Sequence, residues 1–116
     1  MKKQTFGKHE RVRKRKQYLI IYKQGERSYS ENFTVIVYQN QLKTNRLGVT
    51  ASKKIGNAVK RNRAKRLIRE FFRLNKFKFS VSHDFVIIVK RDISLLTYQD
   101  VCGELGNLLF KKADEK

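Results

Sequence analysis

The stretch from residue 46 to residue 70, RLGVTASKKIGNAVKRNRAKRLIRE, decides the fold because it joins a strand directly to a basic helix. Its first part, Arg46 to Ala51, has the composition of a β-strand. Its second part predicts a helix from Ala58 to Arg73, with Asn57 as the N-cap. The apolar side chains of this helix recur at helical spacing, so one face packs on a core. That face consists of Ala64, Leu67, Ile68 and Phe71.

The segments on either side add two helices and three strands. Apolar residues at helical spacing predict a first helix from about Lys14 to Gln24, which Gly25 ends. Runs of β-branched, aromatic and other apolar residues predict strands at 33–38 and 85–89, and a short strand is expected at 27–30. Thr97 opens a last helix, with Asp100 three residues further on.

The connections predict how these elements assemble. The polar segment 39–45 is typical of a turn, so strands 33–38 and 46–51 are expected to form a hairpin. The run 85–89 is apolar throughout, which predicts a strand covered on both faces. Together the elements predict one α/β domain over residues 1–116 in which helices pack on a small sheet. Residues 1–11 are expected to be a flexible basic arm.

The charge of the chain points to a polyanionic partner. There are 28 Lys and Arg against 10 Asp and Glu, a formal net charge of +18, whereas a small domain stays soluble with about 2–8. No acidic residue falls between Asn32 and Arg69, unlike on a solvated, salt-bridged face. Nucleic acid is the first candidate partner and an anionic membrane surface the second; a highly soluble protein without a polyanionic partner is the remaining alternative.

The central helix concentrates this charge opposite its apolar face. Like charges four residues apart, such as Arg61 and Lys65, destabilise an isolated helix. An external anion explains the arrangement better, because arginine donates two hydrogen bonds at once to a phosphate. Asn62 adds a neutral donor and acceptor for a base or a sugar. The preceding segment brings Lys53 and Lys54 to the helix start, where backbone amides favour anions.

Aromatic residues form a second candidate surface. Tyr18 and Tyr22 lie four residues apart and share one face of the first helix. Beside an open sheet face they would offer platforms for unpaired bases, each worth about 1–3 kcal/mol. Aromatic residues at helical spacing are equally typical of a core, so both interpretations stay open. In the neighbouring strand, alternate side chains point to opposite faces: Phe33, Val35 and Val37 to one, and Thr34, Ile36 and Tyr38 to the other.

The sequence contains no set of residues with the pattern of a catalytic site. His9 and His83 are isolated and have no metal-ligand spacing. Carboxylates are few and dispersed, so a two-metal nuclease site within the protein is not expected. The sole cysteine, Cys102, is expected to be a structural thiol in the reducing cytoplasm. No run approaches the roughly 18 apolar residues of a membrane span.

The motif Arg61-Asn62-Arg63, within the stretch 46–70, resembles the signature of the bacterial ribonuclease P protein family, and the similarity extends from about Val12 to Leu109. The resemblance implies a two-layer α/β sandwich of order αβββαβα, with the basic helix in a left-handed crossover. It also implies a non-catalytic subunit that binds a catalytic RNA and helps it remove the 5′ leader from precursor tRNA. The RNA, with Mg²⁺, would perform this endonucleolytic cleavage.

The resemblance also implies two sets of site residues. The residues expected to contact RNA are Lys53, Lys54, Asn57, Arg61, Asn62, Arg63, Lys65, Arg66 and Arg69. The groove expected to hold the single-stranded leader is lined by Tyr18, Tyr22, Phe33 and Ile36. Ile36 is aliphatic where some members of the family have an aromatic residue, and Tyr38 lies on the same strand face.

Three other classes of protein share some of these features. A structural RNA-binding protein, such as a ribosomal protein, has the same charge and size but needs no leader groove. A DNA-binding or packaging protein would use the same phosphate contacts. A membrane-surface protein is disfavoured because no predicted helix pairs a basic face with an exposed apolar one. Neither a membrane nor an obligate protein partner is expected.

Overall fold

The computed structural model describes residues 7–80 and 82–110. Within them the chain forms three α-helices and one four-stranded sheet in the expected order αβββαβα. The element bounds lie within two residues of those predicted. The elements are α1 (Arg15–Gln24), β1 (Glu26–Tyr29), β2 (Phe33–Gln39), β3 (Arg46–Thr50), α2 (Ala58–Leu74), β4 (His83–Val89) and α3 (Tyr98–Leu109).

The strand order across the sheet is β1-β2-β4-β3. β4 pairs antiparallel with β2, where Val89 lies opposite Phe33, and parallel with β3, where Asp84 lies opposite Arg46. The predicted hairpin between β2 and β3 is therefore wrong, because β4 lies between them. The apolar run of β4 explains its place, since a strand without polar side chains on either face is stable where both faces are covered.

A buried carboxylate holds the connection between β2 and β3 over the start of β4. Asp84 is 1% exposed and accepts two hydrogen bonds from the Arg46 guanidinium, at 2.7 and 2.8 Å. The side-chain amide of Asn40 donates a third, at 2.7 Å. A buried charge must be paired and hydrogen-bonded. These bonds therefore hold the connection across the start of β4, so it does not form a tight turn that would pair β2 with β3.

The larger of the two apolar cores, here called the main core, lies between one face of the sheet and the helices α2 and α3. Phe33 and Val35 of β2, Phe72 of α2 and Leu105 of α3 are all fully buried in it. The rings of Phe72 and Phe79 stack with centroids 4.8 Å apart. The helices α2 and α3 bury most of this face of the sheet.

The smaller core, here called the α1 core, lies on the opposite face of the sheet beneath α1. It consists of Val12, Ile21, Ile36 and Val86. α1 meets β2 closely at Gly25, where a Cβ atom would lie 2.5 Å from the Ile36 side chain. The φ of Gly25 is −77°, so close approach, and not a left-handed helix end, requires glycine here.

The arrangement of layers agrees with the expected two-layer sandwich, except that α1 lies outside the two layers. The sheet forms one layer and α2 with α3 the other, while α1 covers part of the second face of the sheet. β3, α2 and β4 form the expected crossover between parallel strands. The left hand of this crossover stays a prediction from the resemblance.

The segment before α1 lies against the free edge of β3. Arg11 forms a parallel bridge with Leu47, and the backbone amide of Val12 donates to the Leu47 carbonyl at 2.9 Å. The Glu10 carboxylate pairs with Lys76 at 2.7 Å. Of the expected arm 1–11, residues 1–6 lie outside the described residues, and Glu10 and Arg11 make these contacts with the domain.

Candidate RNA interface

The N-terminal end of α2 is organised by two local caps. The side-chain oxygen of Asn57 accepts from the backbone amide of Lys60 at 3.0 Å, as predicted for an N-cap. The Ser52 hydroxyl accepts from the amide of Lys54 at 3.3 Å. Lys53 and Lys54 are both exposed, so their charges lie in solvent beside the positive end of the helix dipole, where anions are favoured.

The polar and basic side chains along α2 form two rows. Asn62 and Arg66 lie four residues apart and are exposed. Arg61, Lys65 and Arg69 also recur every four residues and are half-buried; these three are called the basic flank. Because side chains at i and i+4 lie on the same face of a helix, the exposed row and the basic flank run side by side.

Ion pairing leaves both rows positive. Glu70, the one acidic residue of α2, pairs with Arg73 at 2.7 Å. The buried Nε of Arg61 has no hydrogen-bond partner among the described residues, and such a group lowers stability unless an acceptor satisfies it. Within the described part of the chain, no ion pair is formed by Arg61, Lys65, Arg66 or Arg69.

Arg63, the last residue of the Arg61-Asn62-Arg63 motif, is directed inward. Its guanidinium donates to the carbonyl oxygens of Ile93 at 3.2 Å and Leu96 at 2.7 Å. Nearby, hydrogen bonds from Lys60 and then Ser94 lower the pKa of Asp92. These contacts tie α2 to the connection between β4 and α3, so the described position of Arg63 favours a structural role over the predicted RNA contact.

Tyr18 and Tyr22 extend from α1 over β3. Their ring centroids are 6.0 Å apart. The Tyr18 ring lies so close to Gly48 that a Cβ atom there would be 2.7 Å from the tyrosine hydroxyl, and the Tyr22 hydroxyl lies 3.5 Å from Thr50 Oγ1. Both tyrosines are half-buried, so they pack on the α1 core and still present part of each ring to solvent. The two rings, with Gly48 and Thr50, are called the tyrosine face.

The other two residues predicted for the leader groove do not reach this surface. Phe33 is fully buried in the main core on the opposite side of the sheet. Its assignment to the groove is wrong, because alternate side chains of a strand point to opposite faces and Phe33 cannot share a face with Ile36. Ile36 is fully buried beneath α1, where it supports the tyrosines from below.

The sequence did not single out Arg27, which borders the tyrosine face; the arginine at the other end, Arg69, was predicted only as an RNA contact. The Arg27 guanidinium lies 5.9 Å from the Tyr22 ring centroid and donates to the Tyr22 carbonyl at 3.0 Å. At the other end, burial and then the neighbouring Tyr22 raise the pKa of Tyr18, while the positive charge of Arg69 opposes them. Helical spacing gives no signal for these contacts, since they join different elements.

The chemistry of this surface is that of phosphate binding and base stacking. Within residues 7–80 and 82–110, no three His, Cys, Asp or Glu side chains converge to form a metal site. No helix in the same residues is long and apolar enough to cross a membrane. Cys102 is half-buried and free of any disulfide. The groups that do converge are cations and aromatic rings.

Comparisons with known proteins show the family of this chain. A profile of the Ribonuclease P family matches residues 6–113. The ribonuclease P protein component of Syntrophus aciditrophicus (strain SB) is 60% identical over 112 residues, which cover 97% of this chain and 94% of the relative. The solved RNase P protein from Thermotoga maritima has a TM-score of 0.79 and 35% identity, covering 88% of this chain and 96% of that one.

A second solved structure, the RNase P protein of Staphylococcus aureus, has a TM-score of 0.80 and 32% identity, covering 90% of this chain and 94% of that one. The profile match includes all the helices and strands of the fold. Sequence, motif and architecture agree, and the chain belongs to the ribonuclease P protein family.

Proposed function

We propose that this chain is the RNA-binding protein subunit of a ribonuclease P and holds its catalytic RNA through α2. The uncompensated charge of α2 carries this proposal, because the exposed row and the basic flank lack ion pairs within the described residues. An RNA backbone supplies the missing counter-charge and releases its condensed cations on binding. The proposed contacts are Lys53, Lys54, Asn57, Arg61, Asn62, Lys65, Arg66 and Arg69.

The tyrosine face is proposed to bind the single-stranded 5′ leader of precursor tRNA. Tyr18 and Tyr22 each leave part of a ring in solvent, and an aromatic ring stacks on any base, so contact does not depend on leader sequence. Arg27 beside Tyr22 adds a positive charge at the end of this face. A leader bound here would lie next to the basic flank, so one protein would contact both the catalytic RNA and its substrate.

Cleavage itself is proposed to occur in the RNA. Mg²⁺, held mainly by the RNA subunit, would supply the activated water and stabilise the charge that develops at the scissile phosphate. The protein would lower the repulsion between two polyanions, so that they approach at a lower Mg²⁺ concentration. The expected location is the cytoplasm, and neither a membrane nor an obligate protein partner is required.

The decisive experiment is cleavage of a precursor tRNA by a bacterial ribonuclease P RNA at low Mg²⁺, with and without this protein. Correct 5′ maturation is expected only when both are present. A catalytic RNA with its active site inactivated serves as the control: this protein should restore no cleavage to it. Cleavage by the protein alone would contradict the non-catalytic role.

Two outcomes would favour other RNA- or DNA-binding functions. Tight RNA binding without any stimulation of cleavage would favour a structural role like that of a ribosomal protein. Equal affinity for duplex DNA and for the folded RNA at matched salt would indicate that phosphate contacts alone determine binding. Comparing the affinities for precursor and mature tRNA distinguishes leader binding from both of these alternative functions, since only the precursor has a leader.

A further inference from the structure

A cavity of about 560 Å³ lies on the face of the sheet opposite to the tyrosine face, beside the end of α3. It is called the phenylalanine pocket, and its apolar walls are formed by Val37, Phe79, Phe85, Leu108, Leu109 and Phe110. Cavities that hold small ligands have volumes of about 300–1,000 Å³. The phenylalanine pocket therefore has room for a molecule of the size of a nucleotide.

The aromatic walls of the phenylalanine pocket are partly accessible to solvent. The ring centroid of Phe79 lies 4.9 Å from that of Phe85 and 5.3 Å from that of Phe110. Phe85 is buried, but Phe79 and Phe110 are only half-buried. Because aromatic rings favour offset stacking and edge-to-face contacts with other rings, these walls suit a planar ligand.

A carboxylate without a counter-charge lies on the same side of the sheet. Glu26 is opposite Val37 in β2, and Val37 is opposite Phe85 in β4, so all three side chains point to one face. Glu26 lines the pocket and forms no ion pair among residues 7–80 and 82–110. Since an ionised carboxylate only accepts hydrogen bonds, the ligand must present donors to it.

A hydroxyl and a cation complete the polar rim of the phenylalanine pocket. Ser28 follows Glu26 by two residues, lies on the same strand face and also lines the pocket. The Nζ atom of Lys78 lies 5.4 Å from the Phe110 ring centroid, and Lys78 forms no ion pair with any described residue. The matching ligand has a planar body, an edge with hydrogen-bond donors and an anionic end.

We propose that the phenylalanine pocket binds a guanine base that carries a phosphate. The N1–H and the 2-amino group of guanine are adjacent donors, which one carboxylate accepts together, so Glu26 would select this base. Adenine and cytosine have an acceptor nitrogen beside their amino group, which a carboxylate repels. The Ser28 hydroxyl can donate to the guanine carbonyl, the phenylalanine rings stack on the base, and Lys78 attracts the phosphate.

The test is a titration of the full-length protein with guanosine 5′-monophosphate and, separately, with adenosine 5′-monophosphate. Calorimetry measures the affinities, and amide chemical shifts in NMR spectra locate the site. The guanine nucleotide should bind at least about tenfold more tightly, as expected for a charge-assisted contact, and should shift the amides of Ser28 and Leu109. The adenine nucleotide measures attraction of the phosphate to basic surfaces elsewhere. Equal affinities, or no shifts in the pocket at millimolar guanine nucleotide, would overturn the proposal.

Protein variants connect the preference for guanine to the phenylalanine pocket. Glu26→Gln, at an exposed position with little risk to folding, should lower the affinity for the guanine nucleotide about tenfold and leave that for the adenine nucleotide unchanged. The matched control is Glu31→Gln, an exposed glutamate that pairs with Arg91 and does not line the pocket; it should bind as the wild type does. Lys78→Gln should weaken binding of the nucleotide more than binding of guanosine. Wild-type affinity in Glu26→Gln would contradict the assignment.

A free nucleotide and a guanosine within an RNA strand share this chemistry, and two trinucleotides distinguish them. If UGU binds more tightly than UAU, and Glu26→Gln abolishes the difference, the pocket accepts a guanosine of an RNA strand. If only the mononucleotides show the preference for guanine, the ligand is a free nucleotide. Absence of the preference in both pairs would overturn the proposal.

Discussion

The two faces of the sheet differ in how completely their helices cover them. On one face, α2 and α3 close the main core over fully buried side chains such as Phe33 and Phe72. On the other, α1 closes a much smaller core and leaves Tyr18 and Tyr22 half-buried at its border. The first face provides most of the apolar burial that stabilises the fold. The second provides a supported aromatic surface that is still accessible to a ligand.

This difference explains why similar aromatic residues have different roles. A ring sealed in the main core contributes to stability alone, whereas a ring at the border of the α1 core contacts solvent on one side. The neighbouring basic flank gives that border a positive charge, which attracts polyanions. The following experiments challenge the contrast between the two faces, beginning with the largest expected effect.

Replacing Phe33 with Ala should destabilise the protein by about 3–5 kcal/mol, the usual effect of removing a buried aromatic ring. Urea denaturation followed by circular dichroism measures the change. Tyr22→Ala is the matched comparison and should lose clearly less, since its ring is only half-buried. Equal losses would show that the two faces are equally closed and that Tyr22 belongs to the core.

Tyr22→Ala should instead reduce the preference for precursor over mature tRNA by about tenfold, the equivalent of one lost stacking contact. Binding of each tRNA to the assembled holoenzyme measures this preference. Tyr22→Phe is the control and should retain it, because stacking needs the ring and not the hydroxyl. If Tyr22→Phe reduced this preference as much as Tyr22→Ala, the tyrosine hydroxyl and its neighbour Thr50 would be responsible for it instead of the ring.

Arg63→Gln and Arg66→Gln should separate structure from RNA binding within one helix. Arg63→Gln removes the guanidinium bonds to two carbonyl oxygens and should destabilise the fold by about 2 kcal/mol. Arg66→Gln should leave the free energy of unfolding unchanged, weaken RNA binding and reduce its dependence on salt by somewhat less than about one unit of slope. If Arg63→Gln weakened RNA binding and Arg66→Gln destabilised the fold, Arg63 would be the residue that contacts the RNA.

Glu104 gives the smallest effect, and one that depends on pH. Burial raises its pKa, but hydrogen bonds from Ser30 and Asn32 outweigh burial and lower the pKa overall. The unfolded chain therefore takes up the proton more readily, so the stabilisation is complete at neutral pH and lost as the pH falls below about 4.3. Glu104→Gln should cost about 1 kcal/mol at pH 7, and this difference should vanish in acid.

Local patterns predicted the elements of this fold well, and their pairing less well. Helix and strand bounds follow from periodicity and caps, as at Thr97, where the reciprocal hydrogen bonds with Asp100 are present. The hairpin error arose because proximity in sequence favours pairing of β2 with β3. Insertion of β4 depends on long-range burial and on the bonds of Asp84, which no local pattern reveals.

The sequence predicted only part of the candidate site, because contacts between distant elements leave no local pattern. The basic rows of α2 follow from helical spacing, so Asn62 and Arg66 are exposed as expected. Spacing alone cannot tell that Arg63 meets the carbonyl oxygens of a distant connection. Phe33 could have been excluded from the leader groove beforehand, because strand alternation already separates it from Ile36.

The position of β4 between β2 and β3 also sets the order in which the protein can be completed during synthesis. β1 and β2 are neighbours in sequence and in the sheet, so they can pair as soon as they leave the ribosome. β3 acquires its sheet partner only after residues 83–89 have been made, and contacts between such distant segments form late. A nascent chain that stops before β4 therefore has a basic helix without the surface that positions it. The sheet and the position of its basic helix are therefore completed together.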